Sequence, residues 1–181
     1  MHSIPLLLEI PLLAVVCIAG FSDIRTRRIP NWVVLAGLLL GLAGNTVLYG
    51  WAGLGRAGLG LGLALLVYLP LHMVRGMGAG DVKLMVAVGA IAGPANWLGV
   101  LVLTGLLGGV CALILVTSQG AGQRTLYNLC HILEELAHLR APYHRHQEID
   151  VRNPGALRLP HGAIIALAVI AFVGASSARI F

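Results

Sequence analysis

Charge is scarce in this chain of 181 residues. Its 12 Lys+Arg and 7 Asp+Glu make up 10% of the sequence, against about 25% in soluble domains. Cysteine is scarcer still. Cys17, Cys111 and Cys130 form no C-x-x-C pair, which excludes a four-thiolate zinc ribbon and a disulfide-built secreted scaffold. What remains is apolar: 58% of residues are hydrophobic before the 24 glycines are counted, and mean hydropathy is +0.89. A soluble globular domain reaches roughly 45–50% with glycine included, so an ordinary water-soluble enzyme and a disordered chain are both excluded. The composition is that of a polytopic membrane protein. The net charge of +5 has no soluble domain to serve, so it reports topology rather than a nucleic-acid partner.

Charges and turn residues divide the chain into six apolar stretches: Ile4–Phe21, Trp32–Tyr49, Ala57–Val74, Val82–Gly93, Trp97–Thr117 and Gly162–Ile180. The expected fold is all-α, a bundle of six transmembrane helices forming one membrane-embedded domain over residues 1–181. Five stretches are long enough to span, since a crossing needs about 17–25 residues. Val82–Gly93 is short, so one of its ends is expected to be recessed and wrapped by other helices. The first stretch lacks a basic region before it and reads as a retained helix rather than a signal peptide. Ten of the twelve basic residues follow stretches one, three and five, and only Arg56 and Arg179 lie on the other side. The positive-inside rule then puts both termini outside, with Asp23, Asp81 and the 118–161 connection in the cytoplasm. Within that connection Leu126, Leu129, Leu133 and Leu136 share one helical face, as in an interfacial helix. Gly37/Gly41, Gly89/Gly93 and Gly105/Gly109 have the small-x-x-x-small spacing of close helix packing. Gly58, Gly60 and Gly62 suggest packing as well, because no phosphate-loop Lys-Ser/Thr follows them.

Acids in or beside a bilayer are costly and therefore informative. Four of the seven (Glu134, Glu135, Glu148, Asp150) fall in the polar connection and read as surface charge. Glu9 lies near the outer end of the first stretch, far from the others. Asp23 follows the first stretch, and Asp81 stands at the opening of the fourth within Gly78-Ala-Gly80-Asp81-Val-Lys83. Taken singly, Asp23 is an interface charge balancing Arg25, Arg27 and Arg28, and Asp81 is a helix N-cap. Taken together, they allow hydrolysis. Two close carboxyls in a semi-dry site share one proton. The ionised one takes a proton from an attacking water, and the neutral one donates to the developing oxyanion. Gly78 and Gly80 would permit backbone turns and close approach of substrate. Lys83 would orient substrate carbonyls or snorkel to the interface.

Asp23 with Ile29-Pro30-Asn31, and the Gly78-x-Gly80-Asp81 segment, resemble the two signature segments of the type IV prepilin peptidase family, membrane aspartyl proteases of the G-x-G-D class. Leu159-Pro160-His161-Gly162-Ala163 resembles the family's C-terminal proline–aromatic–glycine–proline pattern, with His161 in place of the aromatic and Ala163 in place of proline. The resemblance implies Asp23 and Asp81 as the catalytic pair and cleavage of basic leader peptides from prepilin or pseudopilin precursors. It implies the cytoplasmic face of a bacterial inner membrane, with lipid as the other partner and no cofactor or metal. The short, single-activity form that serves tight-adherence (Flp-type) pili is the nearest pattern, which implies no N-methyltransferase activity.

Other polar residues carry weaker expectations. Asn31 follows Pro30 as a cap for the second helix, and His72 reaches the site's depth or simply packs. His131, Glu134, Glu135 and His138 share a face with metal-permissive spacing, which polar helix faces also produce by chance. Two alternatives use the same composition. A small transporter would place its ionisable residues near the bilayer midplane, and an inactive assembly subunit would tolerate loss of either aspartate.

Overall fold

The computed structural model describes residues 4–73, 76–120, 122, 127 and 160–177, and these form four helices. They are α1 (Leu6–Thr26), α2 (Asn31–Met73), α3 (Ala79–Ser118) and α4 (His161–Ser177). The described residues contain no strand. Three helices, α1, α2 and α3, are long and apolar enough to cross a membrane, and α4 is a shorter apolar helix. The six separate helices expected are therefore four in the structure, because two connections collapse to single glycines. Gly50 (φ 59°, ψ −142°) interrupts α2 and Gly93 (φ 76°, ψ 170°) interrupts α3, conformations open to glycine at little cost.

Both interruptions turn the chain back on itself. Gly41 and Gly60 would stand about 28 Å apart on one straight helix, yet Gly41 faces Ala90 and Ile91 while Gly60 faces Gly89. Across the second break, the Trp97 indole N–H reaches back to donate to the Met85 carbonyl at 3.1 Å. Six helical stretches result. The second half of α2 begins directly after Gly50, so Arg56 lies inside a helix and not in the connection expected for it.

Arg56 has work there. Pro94 lacks an N–H, and the turn at Gly93 leaves the carbonyls ahead of it without helical donors. Asn45 Nδ2 donates to Ala90 and Ile91 at 3.1 Å each, and Arg56 Nη2 donates to Ala92 at 3.2 Å. The guanidinium also lies over the Tyr49 ring, 5.6 Å from its centroid.

The first half of α3 is the centre of the bundle. Every residue from Leu84 to Gly93 is buried, with α1, α2 and α4 packed around the helix. The short stretch is thus enclosed by protein, as its length suggested. Glycines make this packing close. A Cβ on Gly60 would strike the Gly89 carbonyl, and one on Gly41 would lie 2.8 Å from the Ala90 carbonyl carbon. One on Gly20 of α1 would lie 2.9 Å from Ala166 Cβ of α4. Gly58, Gly62, Gly105 and Gly109 have no such neighbour within 4 Å. Their expected packing role is not met inside the described chain, because they sit on faces that no other helix covers.

Candidate active site

One end of the bundle gathers the end of α1 and the beginnings of α2, α3 and α4. Helix α1 stops there because Arg27 takes a left-handed conformation (φ 54°) whose N–H donates to the Asp23 carbonyl at 2.9 Å. The Ser22 hydroxyl donates to the Arg28 carbonyl at 2.8 Å and steadies the turn toward Pro30. Asp23, in the last turn of α1, is only 8% exposed. Its Oδ2 accepts from the Gly162 N–H of α4 at 2.9 Å. That amide belongs to the first turn of its helix, where N–H groups lack intrahelical acceptors, so the carboxyl is held at a fixed angle by a donor on another helix.

Asp81 is the third residue of α3. The helix starts from Gly78 in extended conformation, with no side-chain cap. The Asp81 carboxyl folds back toward the Gly78 backbone N–H, which is the acidic half of a capping box and not the N-cap position itself. Asp23 and Asp81 lie within electrostatic reach of each other. The structure therefore brings these two acids together.

The glycines between them contribute space, not unusual torsions. Neither Gly78 nor Gly80 has a positive φ, so the backbone turns expected of them are ones any residue could make. A Cβ on Gly78 would instead press to 3.2 Å from Asp81 Oδ2, and one on Gly80 to 3.4 Å from Ile29 Cβ. Gly162 is tightest: its Cβ would meet Asp23 Oδ2 at 3.1 Å and Ile29 Cδ1 at 3.0 Å. Lys83 is exposed and donates from Nζ to Asn31 Oδ1 at 3.1 Å. It ties the start of α3 to the start of α2, and Asn31 serves as its acceptor.

Tyr68 was not singled out by the sequence reasoning. It is buried on α2, edge-on to Trp97 with ring centroids 6.1 Å apart, and within electrostatic reach of Asp81. The one available signal was an amphipathic ring near the inner end of an apolar run. His72, one turn further on, is engaged by its Nδ1 with the Met77 carbonyl at 3.0 Å. His161 lies within electrostatic reach of Asp23, and its buried Nε2 has no hydrogen-bond partner among the described residues. Glu9 lies in the first turn of α1, about 20 Å of helix from Asp23. The leucine face and the His131, Glu134, Glu135 and His138 cluster fall outside the described residues. Among the described residues no group of three or more His, Cys, Asp or Glu could hold a metal ion.

Two carboxyls of this kind, one fixed by a backbone donor and both near the bundle's end, have the means to activate a water against a carbonyl. The comparisons with known proteins bear on which reaction that would be. No curated protein and no solved structure matches the chain significantly. A family model does: the type IV leader peptidase family matches residues 10–113, a segment that contains Asp23, the Gly78–Lys83 run and both chain reversals. With more than half of its length so matched, the chain belongs to the type IV leader peptidase family.

Proposed function

We propose that this membrane peptidase is an aspartyl endopeptidase that removes basic leader peptides from type IV prepilins of the Flp kind, with Asp23 and Asp81 as its catalytic pair. The observation that carries the reading is the meeting of these two acids at one end of the bundle, in a chain of the type IV leader peptidase family. One carboxylate takes a proton from water as the oxygen attacks the scissile carbonyl, and the other carboxyl donates its proton to the carbonyl oxygen. Collapse of the tetrahedral intermediate breaks the C–N bond, and the departing amine takes up a proton. Gly78 and Gly80 leave room for a substrate backbone beside Asp81. Lys83 holds the helix starts in register.

The six helical stretches cross a bacterial inner membrane in alternation, reversing at Gly50 and Gly93. The Asp23–Asp81 end faces the cytoplasm, where the excess of basic residues belongs. A precursor presents its leader there while its apolar helix lies in lipid. The whole chain forms one membrane-embedded domain, and the 118–161 segment belongs to the same cytoplasmic side.

Co-expression with an Flp-type precursor tests this, scored by size shift and by mass spectrometry of the new N-terminus. Cleavage after a leader glycine by the parent chain is expected. Asp23→Asn and Asp81→Asn should each lose about 10²–10⁴-fold in rate at unchanged membrane abundance. Equal processing by either variant refutes the aspartyl mechanism, and a transported solute with no cleavage would favour a transporter.

A further inference from the structure

Each acid of the pair faces a backbone N–H, but the two donors are not equally fixed. The donor to Asp23 is Gly162, in the first turn of α4, and the helix itself sets the direction of that N–H. The N–H toward which the Asp81 carboxyl folds belongs to Gly78, which lies ahead of α3 in extended backbone (φ −70°, ψ 144°). Asp81 Oδ2 lies 3.2 Å from the place a Cβ would take on Gly78, so carboxyl and peptide are close neighbours. No helix fixes that peptide.

A peptide group is planar, so an N–H turns only if the carbonyl bonded to it turns as well. The carbonyl that shares a plane with the Gly78 N–H is that of Met77, and it is held. His72 Nδ1 lies 3.0 Å from the Met77 carbonyl oxygen. A carbonyl has no proton to give, so Nδ1 carries the proton and donates. The peptide is trans, with its C=O and N–H pointing opposite ways, which sets the imidazole on one side and the Asp81 carboxyl on the other. His72 stands in the last turn of α2, a different helix from the one that carries Asp81. The Gly76 N–H donates to the Leu71 carbonyl at 2.9 Å, which folds the chain back over the end of α2 and brings Met77 to the ring. A donor on the carbonyl also polarises the peptide and strengthens its N–H.

We propose that His72 is a positioning residue for Asp81: by donating from Nδ1 to the Met77 carbonyl it fixes the plane of the Met77–Gly78 peptide, and with it the N–H that the Asp81 carboxyl faces. The proposal rests on the aspartyl-peptidase reading. His72 acts through a peptide group on Asp81, so its loss falls on kcat and leaves KM nearly alone. A donor at the place of Nδ1 is what counts, not the bulk of the ring.

Three variants test this, compared with the parent and Asp23→Asn as purified full-length protein acting on an Flp-type precursor in mixed micelles. His72→Phe keeps the ring's bulk without a donor. His72→Asn puts an amide nitrogen near the place of Nδ1, and His72→Gln carries its amide one bond further out. Rates are taken well below each variant's own thermal midpoint. His72→Phe should lower kcat by about tenfold with KM within about twofold, His72→Asn should recover most of that loss, and His72→Gln should recover less. Should His72→Phe fail to fold, the order of Asn over Gln decides in its place. A space-filling role predicts instead that Phe is the most active of the three. That order, a parent-like kcat in His72→Phe, or a His72→Asn no better than His72→Gln overturns the proposal, while an inactive Asp23→Asn leaves the catalytic pair standing. Activity in Asp23→Asn, or no cleavage by the parent, overturns both.

Discussion

Adding one methyl group at Gly60 should disable this protein, while the same methyl two residues away should not. On Gly60 a Cβ would strike the Gly89 carbonyl oxygen and sit 2.8 Å from its carbon and 3.1 Å from the Gly93 carbonyl carbon. Ordinary carbon contacts begin near about 3.5 Å, and the obstacles are backbone atoms that no rotamer change can move. The second half of α2 must therefore back away from α3 by roughly 1 Å. Overpacking of this kind costs about 1–3 kcal/mol. Gly89 lies two turns beyond Asp81 in the enclosed half of α3, so displacing it carries Asp81 off its position opposite Asp23. A misplacement of about 1 Å at reacting groups costs on the order of 10²-fold in rate. Gly58 and Gly62 flank Gly60 on the same helix, and a Cβ there would have no neighbour within 4 Å among the described residues. Alanine there gains about 0.5–1 kcal/mol of helix preference instead. The assay is a matched series, Gly58→Ala, Gly60→Ala and Gly62→Ala, read by thermal unfolding in detergent and by precursor processing. Gly60→Ala should melt several degrees lower and process poorly, with the other two at or above parent stability. A Gly60→Ala protein that matches Gly62→Ala in both readouts would refute the crossing as described.

Gly162→Ala should lower processing by at least about tenfold with little loss of membrane abundance, because its Cβ presses on Asp23 and Ile29 side chains while α4 itself tolerates alanine. Asn45→Ala should destabilise the fold by about 1–3 kcal/mol, since the Ala90 and Ile91 carbonyls lose their donor inside the bundle; the check is the thermal midpoint, and an unchanged one would mean that other donors serve them. Lys83→Met keeps the aliphatic stem and removes the bond to Asn31. Its effect on rate should stay within about fivefold, as befits an exposed hydrogen bond, and a loss as deep as that of Asp81→Asn would place the ammonium in the chemistry itself.

The site was legible in sequence to the extent that it is made of charge. Acids are so rare in this chain that Asp23 and Asp81 stood out, and their place at ends of apolar runs put them on one boundary before any contact was known. The partner of Asp23 was not legible, because a backbone N–H leaves no mark on residue type, and Gly162 reads as a small residue wherever it occurs. Tyr68 was obscured differently: an aromatic in an apolar run packs far more often than it serves a reaction, and only its neighbours tell the cases apart. Hydropathy located the segments but not their joints. It ended the second stretch at Tyr49 and restarted at Ala57 because Arg56 and several glycines look like a connection. The helix instead restarts at Trp51, since the guanidinium finds the Ala92 carbonyl and the Tyr49 ring.

The two breaks also bear on how the acids are held. A chain reversal within a bundle exposes carbonyls that water cannot reach, and each needs a donor from elsewhere. At Gly93 the donors from α2 are Asn45, from the helical half before Gly50, and Arg56, from the half after it, with Asn96 of α3 itself also donating to Ala92 at 3.4 Å. Both halves of α2 are thus fastened to the far end of the enclosed stretch of α3. Asn31, at the start of α2, accepts from Lys83 at the near end. The stretch is pinned at both ends to one neighbouring helix, and Asp81 lies two residues from the nearer pin. An aspartate so placed cannot slide along the bundle axis unless bonds at both ends give way, so α2 supplies the rigidity of the site while α1 and α4 supply the facing acid and its backbone donor.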